Sequence, residues 1–273
     1  MVERVLEKLQ AEAEQYPERH RQLAAIRYYL HCMLWDVVTL WNGAARGVTN
    51  YKTLLDQLER WRKPQERICL VTFNYDTMLE DALPAVGFHI RKLPDYVSSE
   101  TYKVIKLHGS VNWAREVDTP LENLKHKDRM QVAHELIDRA ADLNVSHRYR
   151  IVNDRPISIL NQSVLFPALA IPLERKPDFE CPPEQLETLH ACITQVTKLL
   201  VIGWRATEHR FLNLLAENLP RQLAVMVVGS ARDKTGEPIR NLQQAGIKAD
   251  FLPAHGGFTD VIVRREADDF LRS

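Results

Sequence analysis

The sequence predicts an α/β fold: a Rossmann-like parallel sheet with helices on both faces, an N-terminal helical segment and a small helical insertion. Three observations predict it. Short, almost continuously apolar runs recur along the chain, as expected for strands buried on both faces. Amphipathic stretches with a helical period lie between several of them. Strands that alternate with helices in this way form a parallel sheet.

The chain has a length and composition that suit one large domain. It has 273 residues, 45% of them hydrophobic, which is enough to fill a single core. Within this one domain we expect a helical segment over 1–66, a Rossmann-like core over 67–114 and 162–273, and an insertion over 115–161.

The first third of the chain has the pattern of two helices. Apolar residues recur every three or four positions between 17 and 46, and they predict one long helix with a buried stripe: Leu23, Ile26, Leu30, Leu34, Val37 and Trp41. Thr49 or Asn50 can cap the next helix, which we expect to end before Pro64.

The remaining elements are predicted from the apolar pattern, which changes after residue 66 from helical spacing to short continuous runs separated by helical stretches. Five strands are predicted, at 68–73, 102–107, 198–202, 223–228 and 249–252. Helices are predicted at 76–83, 183–196, 208–217, 237–245 and 258–271. The insertion is predicted to hold a charged amphipathic helix over 121–143, followed by polar sequence to 161.

Composition sets expectations about location and partners. Lysine plus arginine equals aspartate plus glutamate at 36 each, so the overall charge favours neither nucleic acid nor an anionic membrane as a partner. The four cysteines (32, 69, 181 and 192) are widely spaced, which favours buried reduced thiols over a metal site or disulfides. No run has the pattern of a signal peptide or a membrane span. We therefore expect a cytoplasmic protein without a bound metal.

Polar and small residues follow three of the predicted strands. The first strand ends in TFNYD (72–76), the second in HGS (108–110) and the third in GW (203–204). Ligands bind beyond the carboxyl ends of parallel strands, because loops and helix N-termini meet there. We therefore expect these three segments to lie close together and to form the functional site.

The same segments carry a family resemblance. VTFNYDTMLE, KLHGSVNW and LLVIGWRATEHRFLNLL, taken in order, are similar to three elements of the sirtuin-like family of NAD-consuming domains. The likeness is to its divergent bacterial branch, which has no zinc ribbon. It implies hydrolysis of the nicotinamide–ribose bond of NAD to nicotinamide and ADP-ribose, in anti-phage defence. It also implies NAD or a related nucleotide as partner, with a homo-oligomer or a partner defence protein as further candidates.

The resemblance implies two catalytic residues. Cleavage of the glycosidic bond passes through an oxocarbenium-like state, so the site must position the ribose and admit water. His108 would be the general base, since histidine exchanges protons near neutral pH. Asn74 would position a ribose hydroxyl or the attacking water.

Eight further residues would contact the nucleotide. Asp76 would accept a hydrogen bond from nicotinamide or ribose, and the glycines would let the backbone approach the ligand. The full set of predicted nucleotide contacts is Thr72, Asp76, Gly109, Ser110, Gly203, Trp204, Gly229 and Ser230.

Six of these residues also have a structural alternative. Asn74 and Asp76 can cap the helix that follows them. His108 can be a hydrogen-bonded structural histidine at a strand end. Gly203 can serve only to relieve crowding at a turn, and Gly229 with Ser230 can form a plain turn.

One family element is missing from the sequence. A sirtuin-like domain is expected to contain a strand and a glycine-rich loop that surround the NAD pyrophosphate with backbone amides. This sequence has no Gly-x-Gly, and its only adjacent pair is Gly256-Gly257. The missing strand would lie beside the strand that carries Asn74, so its absence would leave two strands unpaired or force them together. The chain is then either a shortened form of a longer protein or a derivative that has lost the loop. The alternative function is an inactive NAD- or ADP-ribose-binding or protein-interaction module.

Overall fold

A computed structural model describes residues 2–45, 49–121, 126–153, 155–160, 163–172, 178–220, 223–229 and 235–272. Its parallel strands and flanking helices confirm the predicted Rossmann-like α/β class.

The N-terminal segment consists of three helices, α1 (Val2–Glu12), α2 (Pro17–Ala45) and α3 (Asn50–Trp61). The hydroxyl of Thr49 accepts a hydrogen bond from the Lys52 amide at 3.3 Å, so the predicted cap of α3 is confirmed. The prediction that the whole apolar stripe of α2 is buried is wrong. Leu23 is buried, but Val37 and Trp41 are 56% and 51% exposed. The α2 residues that belong to hydrophobic clusters all lie between Leu23 and Tyr28, in the first half of the helix.

All five predicted strands are present, in two separate parallel groups. β1 (Ile68–Thr72) pairs with β2 (Tyr102–Lys106). β8 (Leu223–Gly229) lies between β7 (Lys198–Ile202) and β9 (Ala249–His255). β1 and β7 are not hydrogen-bonded to each other.

Helices connect these strands and cover both faces of the sheet. Those outside the N-terminal segment and the insertion are α4 (Met78–Ala82), α5 (Asp95–Ser98), α7 (Pro183–Ile193), α8 (His209–Asn218), α9 (Gly236–Gln244), α10 (Gly257–Arg264) and α11 (Asp268–Arg272). Val225 and Val227 of β8 pack in the main core with Leu189 of α7, whereas Met226 packs with Val261 of α10. Alternate residues of β8 thus contact helices on opposite faces. The predicted final helix is split, because Arg265 adopts a left-handed φ of 58° between α10 and α11.

The prediction that the insertion is helical is wrong, because the insertion contains strands as well as a helix. Its helix, α6 (Arg129–Asp138), is shorter than predicted. Around it lies an antiparallel sheet of order β4-β3-β6-β5, formed by β3 (Gly109–Val117), β4 (Val145–Ile151), β5 (Ile159–Leu160) and β6 (Ser163–Leu169). β4 lacks an apolar run because one of its faces is polar: Arg148 and Arg150 both contact Glu116 of β3.

The four cysteines are free; Cys181 is buried and the other three are partly exposed. Within the described residues, no helix combines the length and the apolar character that a membrane crossing demands.

The backbone of Gly109 lies very close to β6. Its φ is 80°, and a Cβ built there would lie 1.9 Å from the carbonyl oxygen of Ala168 on β6. Glycine is therefore required where the chain enters the antiparallel sheet after the short turn that follows β2.

We expect Gly109→Ala to destabilise the protein by about 2 to 4 kcal/mol, through the clash and the strained backbone. Gly43→Ala is the matched control, since its Cβ would meet no atom within 4 Å and it lies in α2. That change should stabilise by about 0.5 kcal/mol. Urea unfolding followed by circular dichroism measures both, and equal stabilities would contradict the packing at Gly109.

His31 of α2 gives the fold a pH dependence. The side chain is fully buried, and burial lowers the pKa of its imidazole to about 4. The unfolded chain therefore binds a proton at mildly acidic pH that the folded protein does not bind.

The stability contributed by neutral His31 should be complete above about pH 6.5 and lost as the pH falls towards about 4. The full loss amounts to about 3 kcal/mol, at roughly 1.36 kcal/mol per pH unit. Unfolding free energies of wild type and His31→Met at several pH values measure it. As the pH falls, wild type should lose stability relative to His31→Met by this amount. A constant difference between the two proteins would contradict the prediction.

Candidate functional site

The carboxyl ends of β1, β2 and β7 meet at one edge of the parallel sheets. The ring of Phe73, after β1, lies 4.9 Å from the imidazole of His108, after β2. The same ring stacks on Trp204, after β7, with centroids 5.4 Å apart. The three strand ends singled out in the sequence therefore form one cluster.

Asn74 lies at the solvent-exposed side of this cluster. Its side-chain amide donates a hydrogen bond to the hydroxyl of Tyr51 on α3 at 3.0 Å. Its backbone amide donates to the hydroxyl of Thr72 at 3.1 Å, which tightens the turn after β1. Burial and the nearby Asp76 carboxylate raise the pKa of Tyr51, so its hydroxyl stays protonated while it accepts the bond from Asn74. The side chain of Asn74 is oriented by α3 rather than by the helix that follows it.

Asp76 stabilises the start of α4. Its carboxylate accepts a hydrogen bond from the backbone amide of Met78 at 3.0 Å. Its backbone carbonyl accepts one from the ammonium group of Lys106. The structural alternative given above, capping of the next helix, therefore describes the contacts of Asp76; a role in nucleotide binding stays a prediction.

His108 is 5% exposed, between aromatic rings. Its imidazole contacts Phe73 at 4.9 Å and Tyr75 at 6.1 Å, the two residues on either side of Asn74. Tyr75 is held in place by a hydrogen bond of 2.8 Å from its hydroxyl to the carbonyl of Ala170. Burial raises the pKa of Tyr75 to about 12, so this donor keeps its proton. The imidazole of His108 and the amide of Asn74 thus belong to the same strand-end cluster.

Two predicted nucleotide contacts lie in the antiparallel sheet. Gly109 and Ser110 are the first residues of β3, and both are buried. The hydroxyl of Ser110 donates to the carbonyl of Tyr75 at 3.4 Å, so it helps join β3 to the loop after β1.

The other predicted contacts lie beyond β7 and β8. Gly203 has a φ of 64°, which favours glycine, and its amide extends the β7–β8 ladder by donating to the carbonyl of Val228 at 3.2 Å. The alternative that Gly203 relieves crowding is wrong, since a Cβ there would meet no atom within 4 Å. The indole N–H of Trp204 donates to Glu208 at the start of α8. Gly229 is buried in β8 opposite His255. Ser230 lies outside the described residues.

A buried ion pair lies next to the site, and neither of its residues was predicted from the sequence. Lys106, the last residue of β2, is fully buried, and its ammonium lies 2.8 Å from the carboxylate of Glu80 on α4. The same carboxylate oxygen accepts a hydrogen bond from the hydroxyl of Tyr96 at 2.8 Å, and that hydroxyl accepts one from the indole of Trp113. The available signal was a lysine that directly follows the apolar pair Val104-Ile105 in a predicted buried strand, since a buried lysine needs an acidic partner.

A second carboxylate, Glu180, lies close behind β2. Its backbone amide donates to the carbonyl of Leu107, and its carboxylate accepts a hydrogen bond from the Tyr149 hydroxyl at 2.9 Å. Arg27 and Arg115 lie 3.7 and 3.5 Å from it. This group ties α2 and the antiparallel sheet to the residue before His108. In the part of the chain that the structure describes, no group of three or more His, Cys, Asp or Glu side chains is arranged to hold a metal ion.

No protein-family model matches this chain, and no curated protein matches it.

We expect Lys106→Met to destabilise the protein by about 3 to 5 kcal/mol, because it leaves the Glu80 carboxylate buried without its cation. The double variant Lys106→Met/Glu80→Gln should lose less than the sum of the two single changes. Lys8→Met, at an exposed ion pair with Glu12, is the control and should change stability by less than about 0.5 kcal/mol. Chemical unfolding measures all four; strictly additive losses would contradict a coupled pair.

Proposed function

We propose that the carboxyl edge of β1, β2 and β7 binds NAD and hydrolyses its nicotinamide–ribose bond, as in a sirtuin-like domain. The observation that supports this proposal is the meeting of Phe73, His108 and Trp204 at one edge. Parallel α/β sheets bind ligands at this edge. Consumption of NAD would suit a role in anti-phage defence.

The proposed chemistry divides between two side chains. Asn74 is exposed and oriented by Tyr51, so its amide would hold a ribose hydroxyl or the attacking water. His108 would take the proton as water attacks the anomeric carbon and nicotinamide leaves. The stacked rings of Phe73 and Trp204 offer a flat apolar surface beside them, of the kind on which aromatic rings pack.

Two features favour the second candidate, a nucleotide-binding or protein-interaction module without catalysis. His108 is only 5% exposed, which restricts its access to a substrate. The sequence also has no glycine-rich loop for the pyrophosphate. Each charge-assisted hydrogen bond from such a loop would contribute about 1.5 to 3 kcal/mol, so binding is expected to be weak without it.

Incubation with NAD, followed by chromatography for nicotinamide and ADP-ribose, tests the hydrolase. His108→Gln and Asn74→Ala should each lower the rate by about 100-fold or more, the usual contribution of a general base or positioning group. His89→Ala, at an exposed histidine away from the cluster, should retain the wild-type rate. Thermal melts of each variant separate lost chemistry from lost folding.

Hydrolysis that persists in both variants would contradict the assignment of the site. If no product forms, calorimetric titration with NAD and with ADP-ribose distinguishes the remaining functions. Binding that is weakened by Asn74→Ala would favour nucleotide sensing, whereas the absence of heat would favour a protein-interaction role.

A further inference from the structure

Helix α2 has a second apolar face, which points into solvent. Its members are between 40% and 74% exposed, and we call them the outer stripe: Tyr29, Met33, Val37, Leu40 and Trp41. They make up five of the ten large hydrophobic side chains that are exposed in the described part of the chain. Single exposed apolar residues are normal on a protein surface, but a continuous group on one helix marks an interaction surface.

The outer stripe lies opposite the side of α2 that packs on the protein. At about 3.6 residues per turn, its five positions fall within roughly one third of the helix circumference. Tyr28, His31 and Trp35 lie on the other side and are buried or partly buried. Tyr28 packs on Phe166 of β6, with ring centroids 5.5 Å apart. A helix that is apolar on both sides is normally covered on both sides.

The outer stripe is nearly free of charge. Between positions 28 and 41, the only Asp, Glu, Lys or Arg is Asp36, and its carboxylate is paired with Arg155. Tyrosine, tryptophan and methionine are enriched in the centres of protein interfaces, whereas lysine and glutamate are depleted there. A helix that lies on a membrane instead carries lysines and arginines beside its apolar face. The composition therefore favours a protein partner over a lipid surface.

The spacing of the apolar residues suits packing against a second copy of the same helix. Steps of four and three residues alternate, as in a coiled-coil seam, along Ile26, Leu30, Met33, Val37 and Leu40. Two copies of the outer stripe match when the helices run antiparallel about a two-fold axis midway between Tyr29 and Trp41. Tyr29 of one copy then faces Trp41 of the other, and Met33 faces Val37. Such a contact is closed, because both copies use the same surface.

The area of the outer stripe is sufficient for a dimer. Side chains of this size and exposure present roughly 500 to 600 Å² in one copy, at the upper end of the largest apolar patch expected on a monomer. Pairing two outer stripes buries roughly 1,000 to 1,200 Å², which reaches the area required of a specific interface. A second copy covers both stripes with a single contact.

We infer that the outer stripe is the interface of a homodimer, in which α2 packs antiparallel on α2 of a second copy. The dimer does not depend on the proposed hydrolysis of NAD, since none of the candidate site residues belongs to the outer stripe.

Sedimentation equilibrium without NAD tests the dimer. Between about 1 and 100 µM, the mass should rise from 31.6 kDa to twice that value. Leu40→Lys should weaken the dimer by about 100-fold or more, because the two-fold axis buries the unpaired ammonium twice. Val263→Lys is the matched control: Val263 is 72% exposed on α10, against 74% for Leu40, and the change should leave the dimer intact. Both variants should melt near the wild-type temperature, because both positions are exposed.

A pair of charge variants tests the antiparallel arrangement. Met33→Lys and Val37→Glu should each weaken the dimer when present alone. An equimolar mixture of the two should dimerise about tenfold more tightly than either variant alone, since the lysine of one copy then faces the glutamate of the other. Equal dimerisation in the mixture and in the single variants would contradict this pairing.

Four results would overturn the homodimer itself. The protein could stay monomeric over the whole concentration range. A dimer could form with the same affinity in Leu40→Lys, which would place the contact on another face. Monomeric protein could instead bind vesicles of anionic lipid and lose that binding in Leu40→Lys, which would assign the outer stripe to a membrane. Finally, a longer form of the same polypeptide could be monomeric with the amide of Leu40 protected from hydrogen exchange, which would mean that the outer stripe is covered within one chain.

Discussion

The ion pair between Lys106 and Glu80 is the contact on which the geometry of the strand-end cluster depends. It joins the end of β2 to α4, and the same ammonium group holds the carbonyl of Asp76, so the whole turn after β1 is fixed to β2. Burial makes the pair stiff, since either charge without the other would be costly in the apolar interior. His108, two residues after Lys106, is thereby kept against Phe73 and Tyr75.

Elements with a regular apolar pattern could be predicted from the sequence. The parallel strands show as apolar runs, and α3 shows through Thr49 and its apolar stripe. The antiparallel sheet could not be predicted in the same way. β3 begins at Gly109 after a turn of only two residues. β4 carries arginines paired with Glu116, and β6 contains Pro167, a residue that usually argues against a strand.

The position of the candidate site was predictable, but its side-chain contacts were not. Parallel strands share a carboxyl edge, so the sequence alone brought Asn74, His108 and Trp204 to one place. The contact of Asp76 with Met78 is local and was foreseen as helix capping. The partners Tyr51 of Asn74 and Glu80 of Lys106 lie more than twenty residues away in the sequence, and only the folded chain shows them.

Only a short turn separates β2 from β3 at Gly109, so the parallel and the antiparallel sheet are joined by one short segment of chain. His108 is the hinge residue of this segment: its carbonyl accepts a hydrogen bond from Ala170, beyond β6, while its ring packs on the loop after β1. A movement of the antiparallel sheet would therefore also move the imidazole, because the backbone of His108 is bonded to that sheet. Sequence changes far out in the insertion, even at its charged outer face, can in this way tune the position of the imidazole without touching any neighbour of the ring.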